Sequence, residues 1–256
     1  MAKASGKVHI GTSGWHYTHW KGAFYPHDLP VKKFLSFYAE TFSTVEINRT
    51  FYGLPKKQSL SEYDKMVPKA FIFSVKASRF ITHTKRLKVP KSSLNKFFSC
   101  VNGLGSHLGP VLFQLPPRWN LNLERLESFL NALPQGYRYA FEFRDPRWFE
   151  EEVYVLLKKH KAAFCIYEFE GIKAPWVITS NFVYVRLHGP KKKAYTGKYS
   201  LPMIRKWADF FSEQAKEGRD IYCYFDNDEE GFAALNAKSM NRMVHGPKNS
   251  RQKRGD

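Results

Sequence analysis

The stretch Tyr139-Ala-Phe-Glu-Phe-Arg144 has the aromatic and apolar content of a buried β-strand. Successive side chains of a strand point to opposite faces, so Phe141 and Phe143 share one face while Glu142 and Arg144 share the other. In a parallel barrel one such row faces the axis, and its last members lie at the mouth where barrel chemistry occurs. The stretch therefore predicts a barrel strand that delivers two charged groups to a functional end.

Seven other short runs of β-branched and aromatic residues recur along the chain, separated by helix-like stretches. The eight predicted strands are Val8–Thr12, Thr44–Asn48, Phe71–Lys76, Val111–Leu115, Tyr139–Arg144, Ala163–Tyr167, Phe182–His188 and Asp220–Phe225. The predicted helices are Val31–Phe42, Ser59–Val67, Ser92–Gly103, Leu123–Leu133, Pro146–His160, Leu201–Lys216 and Gly231–Val244. In the segment 168–181, Gly171 and Pro175 leave little room for a helix.

This alternation predicts an α/β fold, a (β/α)8 TIM barrel in a single domain. No linker rich in Gly, Pro or Ser divides the chain, so we assign residues 1–245 to the barrel and 246–256 to a basic flexible tail. No GxGxxG or P-loop pattern occurs, which argues against a dinucleotide or Walker-type nucleotide site.

Composition limits the class of protein. The chain has 256 residues, 43% of them hydrophobic, which is enough for a sizeable core. It contains no apolar run of about 18 residues and no apolar stretch near its first residue, so we expect no membrane partner and a cytoplasmic location. Its three cysteines lack CxxC spacing and lie in apolar stretches, which favours reduced core residues.

Charge is the unusual property of the composition. A formal net charge of +18 favours association with polyanions such as nucleic acid or with phosphorylated ligands. The positive residues concentrate in the loop His188–Tyr199 after the seventh predicted strand and in the tail segment Lys248–Arg254. Barrel loops in that position often hold phosphate, and Tyr195 and Tyr199 could stack on a ring. A solvated surface is the simpler interpretation, particularly for the tail.

Polar residues interrupt the inward rows of six predicted strands. Glu46 and Asn48 end the second strand, and Arg186 and His188 end the seventh. Lys76, Gln114 and Asp228 end or follow three others. Isolated buried charges cost several kcal/mol each, so this set predicts a wet pocket at the mouth, and its cations favour an anionic ligand. Structural ion pairs are the alternative for any single member.

Glu46 and Glu142 are the candidate acid and base, because a neighbouring cation would separate their pKa values, and His188 could assist them near neutral pH. Paired carboxylates also allow glycoside hydrolysis. A divalent metal held by Glu46, Glu142, His188 and Asp228 is a weaker alternative, because no local ligand spacing supports it. We therefore predict no cofactor and no metal ligand.

Several blocks, in order along nearly the whole chain, resemble the YecE-like family (domain of unknown function 72). They include Gly11-Thr-Ser-Gly-Trp15, Val45-Glu-Ile-Asn48, Phe141-Glu-Phe-Arg144, Tyr184-Val-Arg-Leu-His-Gly189 and Tyr224-Phe-Asp-Asn-Asp228. The resemblance implies a TIM barrel and names no reaction. The chain departs from the family pattern at Glu168 and Asp226, where similar proteins usually carry Asp and Asn, and in its lysine-rich loop.

These patterns lead to one functional expectation and two alternatives. We expect an enzyme, a hydrolase or lyase, that acts on an anionic small-molecule or nucleic-acid-derived substrate through Glu46, Glu142 and His188. The expected substrate-binding residues are Trp15, Tyr17, Asn48, Lys76, His83, Gln114, Arg144, Arg186, Tyr195, Tyr199, Asn227 and Asp228. The alternatives are a non-catalytic barrel that binds nucleic acid nonspecifically through the basic loop and tail, and a glycoside hydrolase.

Overall fold

Eight parallel strands form the wall of a nearly closed barrel in the computed structural model, which describes residues 4–246. The predicted (β/α)8 fold is confirmed. The strands are β1 (Val8–Thr12), β2 (Thr44–Ile47), β3 (Ile72–Lys76), β4 (Leu108–Leu115), β5 (Tyr139–Phe143), β6 (Ala163–Phe169), β7 (Ile172–Lys173), β8 (Phe182–Leu187) and β9 (Asp220–Phe225). Most of the predicted basic tail lies outside the described residues.

The strand order around the barrel is β1-β9-β8-β6-β5-β4-β3-β2, and every neighbouring pair in it is parallel. The last gap, between β1 and β2, is joined at the mouth by a parallel bridge from Ser13 to Glu46. There the backbone N–H of Gly14 donates to the carbonyl oxygen of Glu46 at 2.9 Å. The first and second strands therefore hold the mouth together where two candidate site residues lie.

The short strand β7 lies outside the barrel wall and pairs antiparallel with the end of β6. Glu170 and Gly171, with φ angles of 50° and 83°, make the turn between them. This hairpin extends β6 beyond its predicted end and carries Phe169 towards the mouth, where its ring lies beside that of His188. No α-helix occurs in residues 168–181, in line with the effect expected of Gly171 and Pro175.

Helices cover the outside of the barrel: α1 (Phe34–Thr41), α2 (Arg49–Tyr52), α3 (Lys57–Ser61), α4 (Lys91–Val101), α5 (Leu123–Ala132), α6 (Glu151–Lys159), α7 (Leu201–Lys216) and α8 (Phe232–His245). The single helix predicted over 146–160 is divided into a 3-10 turn, Pro146–Trp148, and α6. Phe149, with φ −88° and ψ 58°, leaves the helical conformation between them. Described residues 4–246 contain no helix long and apolar enough to cross a membrane.

Two apolar clusters pack on the two faces of the barrel wall. A small cluster that includes Leu112, Ala140 and Tyr184 fills the interior, and a larger one packs the outward rows against the helices. Several strands read as almost continuous apolar runs because both of their faces are covered. The three cysteines are buried and free, as predicted for core residues.

Gly11 allows β1 and β2 to approach closely, and its replacement tests that packing. A Cβ added there would lie 2.2 Å from the carbonyl oxygen of Thr44. We expect Gly11→Ala to lower the free energy of unfolding by about 1–3 kcal/mol, because the backbones must separate. Urea unfolding measures this value. Gly53→Ala is the matched control, since a Cβ at Gly53 meets nothing within 4 Å; equal stability of the two variants would contradict close packing at Gly11.

Candidate functional site at the barrel mouth

Arg186, near the end of β8, lies at the centre of a buried ion network. Its Nη2 donates to Glu46 Oε1 at 2.8 Å and to Asp226 Oδ2 at 3.0 Å, while its Nη1 donates to Glu142 Oε2 at 2.9 Å. These partners come from β2, β5 and the residue that follows β9. One guanidinium therefore joins carboxylates from three other strands.

Glu46 is held on its other side by hydroxyl groups. Ser13 Oγ donates to Glu46 Oε1 at 2.8 Å, and the hydroxyl of Tyr184 donates to Oε2 at 2.7 Å. The glutamate side chain is fully buried, so its charge is balanced by Arg186 and these donors and not by water. Alternation along β2 predicts this inward orientation.

Arg144 extends the network from the end of β5. Its Nε donates to Glu142 Oε1, and its guanidinium lies over the ring of Phe169, 3.7 Å from the centroid. Burial by itself would raise the pKa of Glu142, but Arg144 and Arg186 outweigh that effect and hold the pKa well below its usual range. Glu142 is therefore a carboxylate at neutral pH.

Asp226 connects the network to His188. His188 Nδ1 and Asp226 Oδ2 lie 3.0 Å apart, and His188 Nε2 lies 3.0 Å from Arg144 Nη2. Burial would raise the pKa of Asp226, but the hydrogen bond with His188 and the charge of Arg186 lower it overall. The imidazole is enclosed, so Asp226 is the member of this pair that reaches open space.

A cavity of about 610 Å³ lies above the network. Its walls come from the loops after β1, β2, β8 and β9 and from the end of β3. The lining residues are Tyr17, Asn48, Tyr52, Lys76, Lys193, Ala194, Tyr195, Thr196, Asp226, Asp228 and Glu229. The volume falls within the range of about 300–1,000 Å³ that is typical of small-molecule sites.

Lys76 presents a partly buried ammonium group to this cavity. Its Nζ lies 4.4 Å from the centroid of the Phe51 ring, and within the described residues no carboxylate forms an ion pair with it. Burial, assisted by the charge of Arg186, lowers its pKa to about 8. The group therefore remains mostly protonated at neutral pH and can lose its proton at mildly alkaline pH.

Asp228 is a second titratable group on the cavity wall. Its carboxylate accepts a hydrogen bond from Trp20 Nε1 and lies 3.0 Å from His19 Nε2. Burial raises the pKa of Asp228 to about 6, an effect that the Trp20 hydrogen bond opposes. The cavity thus carries a carboxyl group and an amine whose pKa values lie on either side of neutrality.

The predicted site residues separate into three groups. Tyr17, Asn48, Lys76, Tyr195 and Asp228 line the cavity. Glu46, Glu142, Arg144, Arg186 and His188 form the buried network beneath it. Trp15, His83, Gln114, Tyr199 and Asn227 do not line the cavity.

The last group has local structural partners. Tyr199 accepts a hydrogen bond from the backbone N–H of Gly189, and Asn227 donates to the carbonyl oxygen of Gly197. These bonds secure the lysine-rich loop. His83 lies beside Phe51, and Gln114 donates only a long bond, of 3.4 Å, to the carbonyl oxygen of Leu115.

Sequence reasoning left Asp226, Tyr52 and Lys193 out of the site. Asp226 continues the inward row of β9 after Tyr222 and Tyr224, so strand alternation could have identified it. Tyr52 and Lys193 lie on loops, where no periodic pattern indicates which side chain faces the cavity.

The packing of Arg186 bears on the glycosidase and metal alternatives. Glycosidases leave space between two carboxylates for a sugar or water, whereas the Arg186 guanidinium bonds to both Glu46 and Glu142. Across residues 4–246, no group of three or more His, Cys, Asp or Glu side chains is arranged to hold a metal ion. Arginine donors already occupy the carboxylates that such a site would use.

The fold and the site define an α/β barrel protein with an ion network beneath an open polar cavity. The family model described as "Protein of unknown function DUF72" matches residues 9–255, and the chain belongs to this family. The predicted family assignment is confirmed.

Similar proteins include YunF of Bacillus subtilis, a UPF0759 protein that is 27% identical over 93% of this chain and 94% of its own. YecE of Escherichia coli is 29% identical over 57% of this chain and 52% of its own. The solved structure of TM1631, a DUF72 protein of Thermotoga maritima, has a TM-score of 0.85 at 29% identity, covering 93% and 99% of the two chains. The EF0366 structure from Enterococcus faecalis has a TM-score of 0.81 at 18% identity, covering 94% and 97%, and shows the shared fold.

Removing Arg186 should destabilise the protein in a pH-dependent way. Arg186→Met leaves three carboxylates without their shared partner, and we expect the free energy of unfolding at pH 7 to fall by about 3–5 kcal/mol. In the wild type the low pKa values of Glu142 and Asp226 stabilise the fold above their unfolded values of about 4, and that contribution is lost as pH falls. In the variant the unpaired carboxyls bind protons more readily, so the difference should be smaller at pH 5.

Urea unfolding of both proteins at pH 7 and pH 5 measures the effect. Arg147→Met is the control, because Arg147 forms an exposed ion pair with Asp145 and should contribute little at either pH. A loss of stability for Arg186→Met that is the same at both pH values would contradict this account of the network.

Proposed function

We propose that the protein is an enzyme that binds a small substrate through an anionic group, such as a phosphate, and transfers a proton to or from it. The observation that carries this proposal is the Lys76 ammonium, which faces the cavity without an ion-pair partner in the described part of the chain. Binding of a substrate anion would complete the pairing of this charge. The Lys193 side chain on the opposite loop adds a second cation to the cavity wall.

Asp228 and Lys76 are the proposed proton-transfer groups. With pKa values of about 6 and about 8, Asp228 is mainly a base and Lys76 mainly an acid at pH 7. General acid–base catalysis is most efficient when the pKa values of the catalytic groups lie near the working pH. Both side chains line the same cavity, so both can contact a bound substrate.

This proposal changes the roles that the sequence suggests for Glu46 and Glu142. Both side chains are fully buried and bonded to Arg186, and no path on the cavity surface leads to their oxygens. We propose that they are positioning residues that orient Arg186, which in turn holds Asp226 at the cavity. His188 contributes through its bond to Asp226.

The pH dependence of turnover tests the acid–base pair. On a panel of phosphoesters, sugar phosphates and nucleotides, with and without divalent ions, we expect kcat/KM to rise through pH about 6 and fall through pH about 8. Lys76→Met should lower kcat/KM by about 10²–10⁴ and remove the alkaline limb, because the acid is lost. Asp228→Asn should remove the acidic limb.

Lys216→Met is the matched control, because Lys216 is exposed at the end of α7 and should leave the profile unchanged. Glu142→Gln distinguishes the two assignments of proton transfer. If Glu142 transfers the proton, this variant loses turnover and retains substrate affinity, whereas a positioning residue affects both. Turnover that is unchanged in Lys76→Met would overturn the proposal.

A non-catalytic role in binding nucleic acid is the second candidate. Lys191, Lys192 and Lys193 form an exposed run beside the exposed Tyr195 at the edge of the cavity. Lysines interleaved with aromatic side chains suit a single-stranded backbone and its bases.

Salt dependence tests this second candidate. Replacing Lys191, Lys192 and Lys193 together by alanine should weaken binding of a single-stranded oligonucleotide. It should also reduce the slope of log K against log salt concentration by about 0.7 for each lost phosphate contact. Glu142→Gln should leave this binding unchanged. Affinity that does not respond to salt would contradict binding through the backbone charge.

A further inference from the structure

A second cavity adjoins the first at the mouth. It has a volume of about 310 Å³ and lies between the loops that follow β1 and β2. Tyr17, Asn48 and Tyr52 line both cavities and so form the boundary between them. Its other walls are Gly14, Trp15, His16, Ile47, Arg49 and Tyr63. A ligand held in the first cavity could therefore extend into the second.

The walls of this second cavity are mostly aromatic and are held in place. The rings of Trp15 and Tyr63 meet edge to face, with centroids 5.4 Å apart and an interplanar angle of 86°. The Tyr17 hydroxyl donates to the carbonyl oxygen of Ser13 at 2.7 Å, and Gly14 has a φ angle of 93°. A Cβ at Gly14 would lie 2.7 Å from the Tyr17 hydroxyl, so glycine is needed for this packing. Preformed aromatic walls are suited to a flat ring.

Asn48 gives the boundary a hydrogen-bonding group that the protein leaves unused. Its Oδ1 is buried without a partner, and in the described part of the chain no hydrogen bond engages its carboxamide. A buried polar group without a partner costs free energy that a ligand can recover. Carboxamides pair with the edge of a base that carries a donor next to an acceptor, as in adenine N6 and N7. Rotation about the final side-chain torsion presents either end of the amide to such an edge.

Tyr52 is positioned to cover a ring in this cavity. The side chain is 83% exposed, although it lines both cavities, so it has few contacts to lose when it packs on a ligand. Arg49, which is exposed on the same short helix, adds positive charge near the entrance. Stacking on an aromatic side chain does not depend on which base is present.

We propose that the second cavity binds a nucleobase, which makes the substrate of the barrel a nucleotide. The base lies against Trp15, Tyr17 and Tyr52 with its edge on Asn48, and the phosphate lies beside Lys76 in the first cavity. The phosphate half of this inference rests on the proposed function. The base half rests on the second cavity alone.

Three ligands separate the two halves: adenosine 5′-monophosphate, ribose 5-phosphate and adenosine, each titrated calorimetrically into the whole protein. Base stacking contributes about 1–3 kcal/mol, so the nucleotide should bind roughly 10- to 100-fold more tightly than ribose 5-phosphate. Asn48→Leu and Tyr52→Ala should each weaken the nucleotide and adenosine about equally, and should leave ribose 5-phosphate unchanged. The nucleotide of unsubstituted purine, which lacks the amino group, should respond less to Asn48→Leu.

Phe80→Ala is the matched control, because Phe80 is an exposed aromatic residue that lines neither cavity. Thermal unfolding of each variant establishes that it is folded. Equal affinity for the nucleotide and ribose 5-phosphate would overturn the nucleobase site, as would nucleotide binding that is unaffected by both variants. Failure of the proposed function gives a different result: ribose 5-phosphate binding is absent or insensitive to Lys76→Met, while adenosine binding still depends on Asn48.

Discussion

The ion network around Arg186 is the constraint on which the mouth of the barrel depends. A guanidinium that is fully buried costs several kcal/mol unless carboxylates surround it, and Glu46, Glu142 and Asp226 do so here. Each carboxylate comes from a different part of the wall, so the charges balance only when β2, β5, β8 and β9 have the correct register. The network therefore links strand register to the chemistry of the mouth.

The same network explains why some charged groups at the mouth differ from the rest. Glu46 and Glu142 are neutralised below the cavity by Arg186, and Arg144 also pairs with Glu142. Lys76 and Asp228 lie above it, each partly buried and without a strong opposite charge, so burial moves both pKa values towards neutrality. Most of the mouth's charge thus holds the structure, and a small remainder faces the cavity.

Much of the fold could be predicted from the chain. Seven of the predicted strands agree with the observed ones to within one residue at each end or differ only in length, because their apolar runs have the length and composition of barrel strands. The helix predicted over 201–216 is observed with the same bounds, since its apolar residues repeat at helical spacing. The helix boundaries near Trp148 and the β6–β7 hairpin were not predictable, because packing and single-residue turns decide them.

Strand alternation in the sequence alone determined which polar residues face the barrel axis, because a strand offers its side chains only two directions. It therefore identified Glu46, Glu142 and Arg186 as inward-facing residues. Only the tertiary structure decided their depth: these three lie beneath the cavity in mutual ion pairs, whereas Lys76 and Asp228 reach it. Depth depends on the tilt of the strands and on loops such as the one that carries Tyr52, and neither leaves a periodic signal in a sequence.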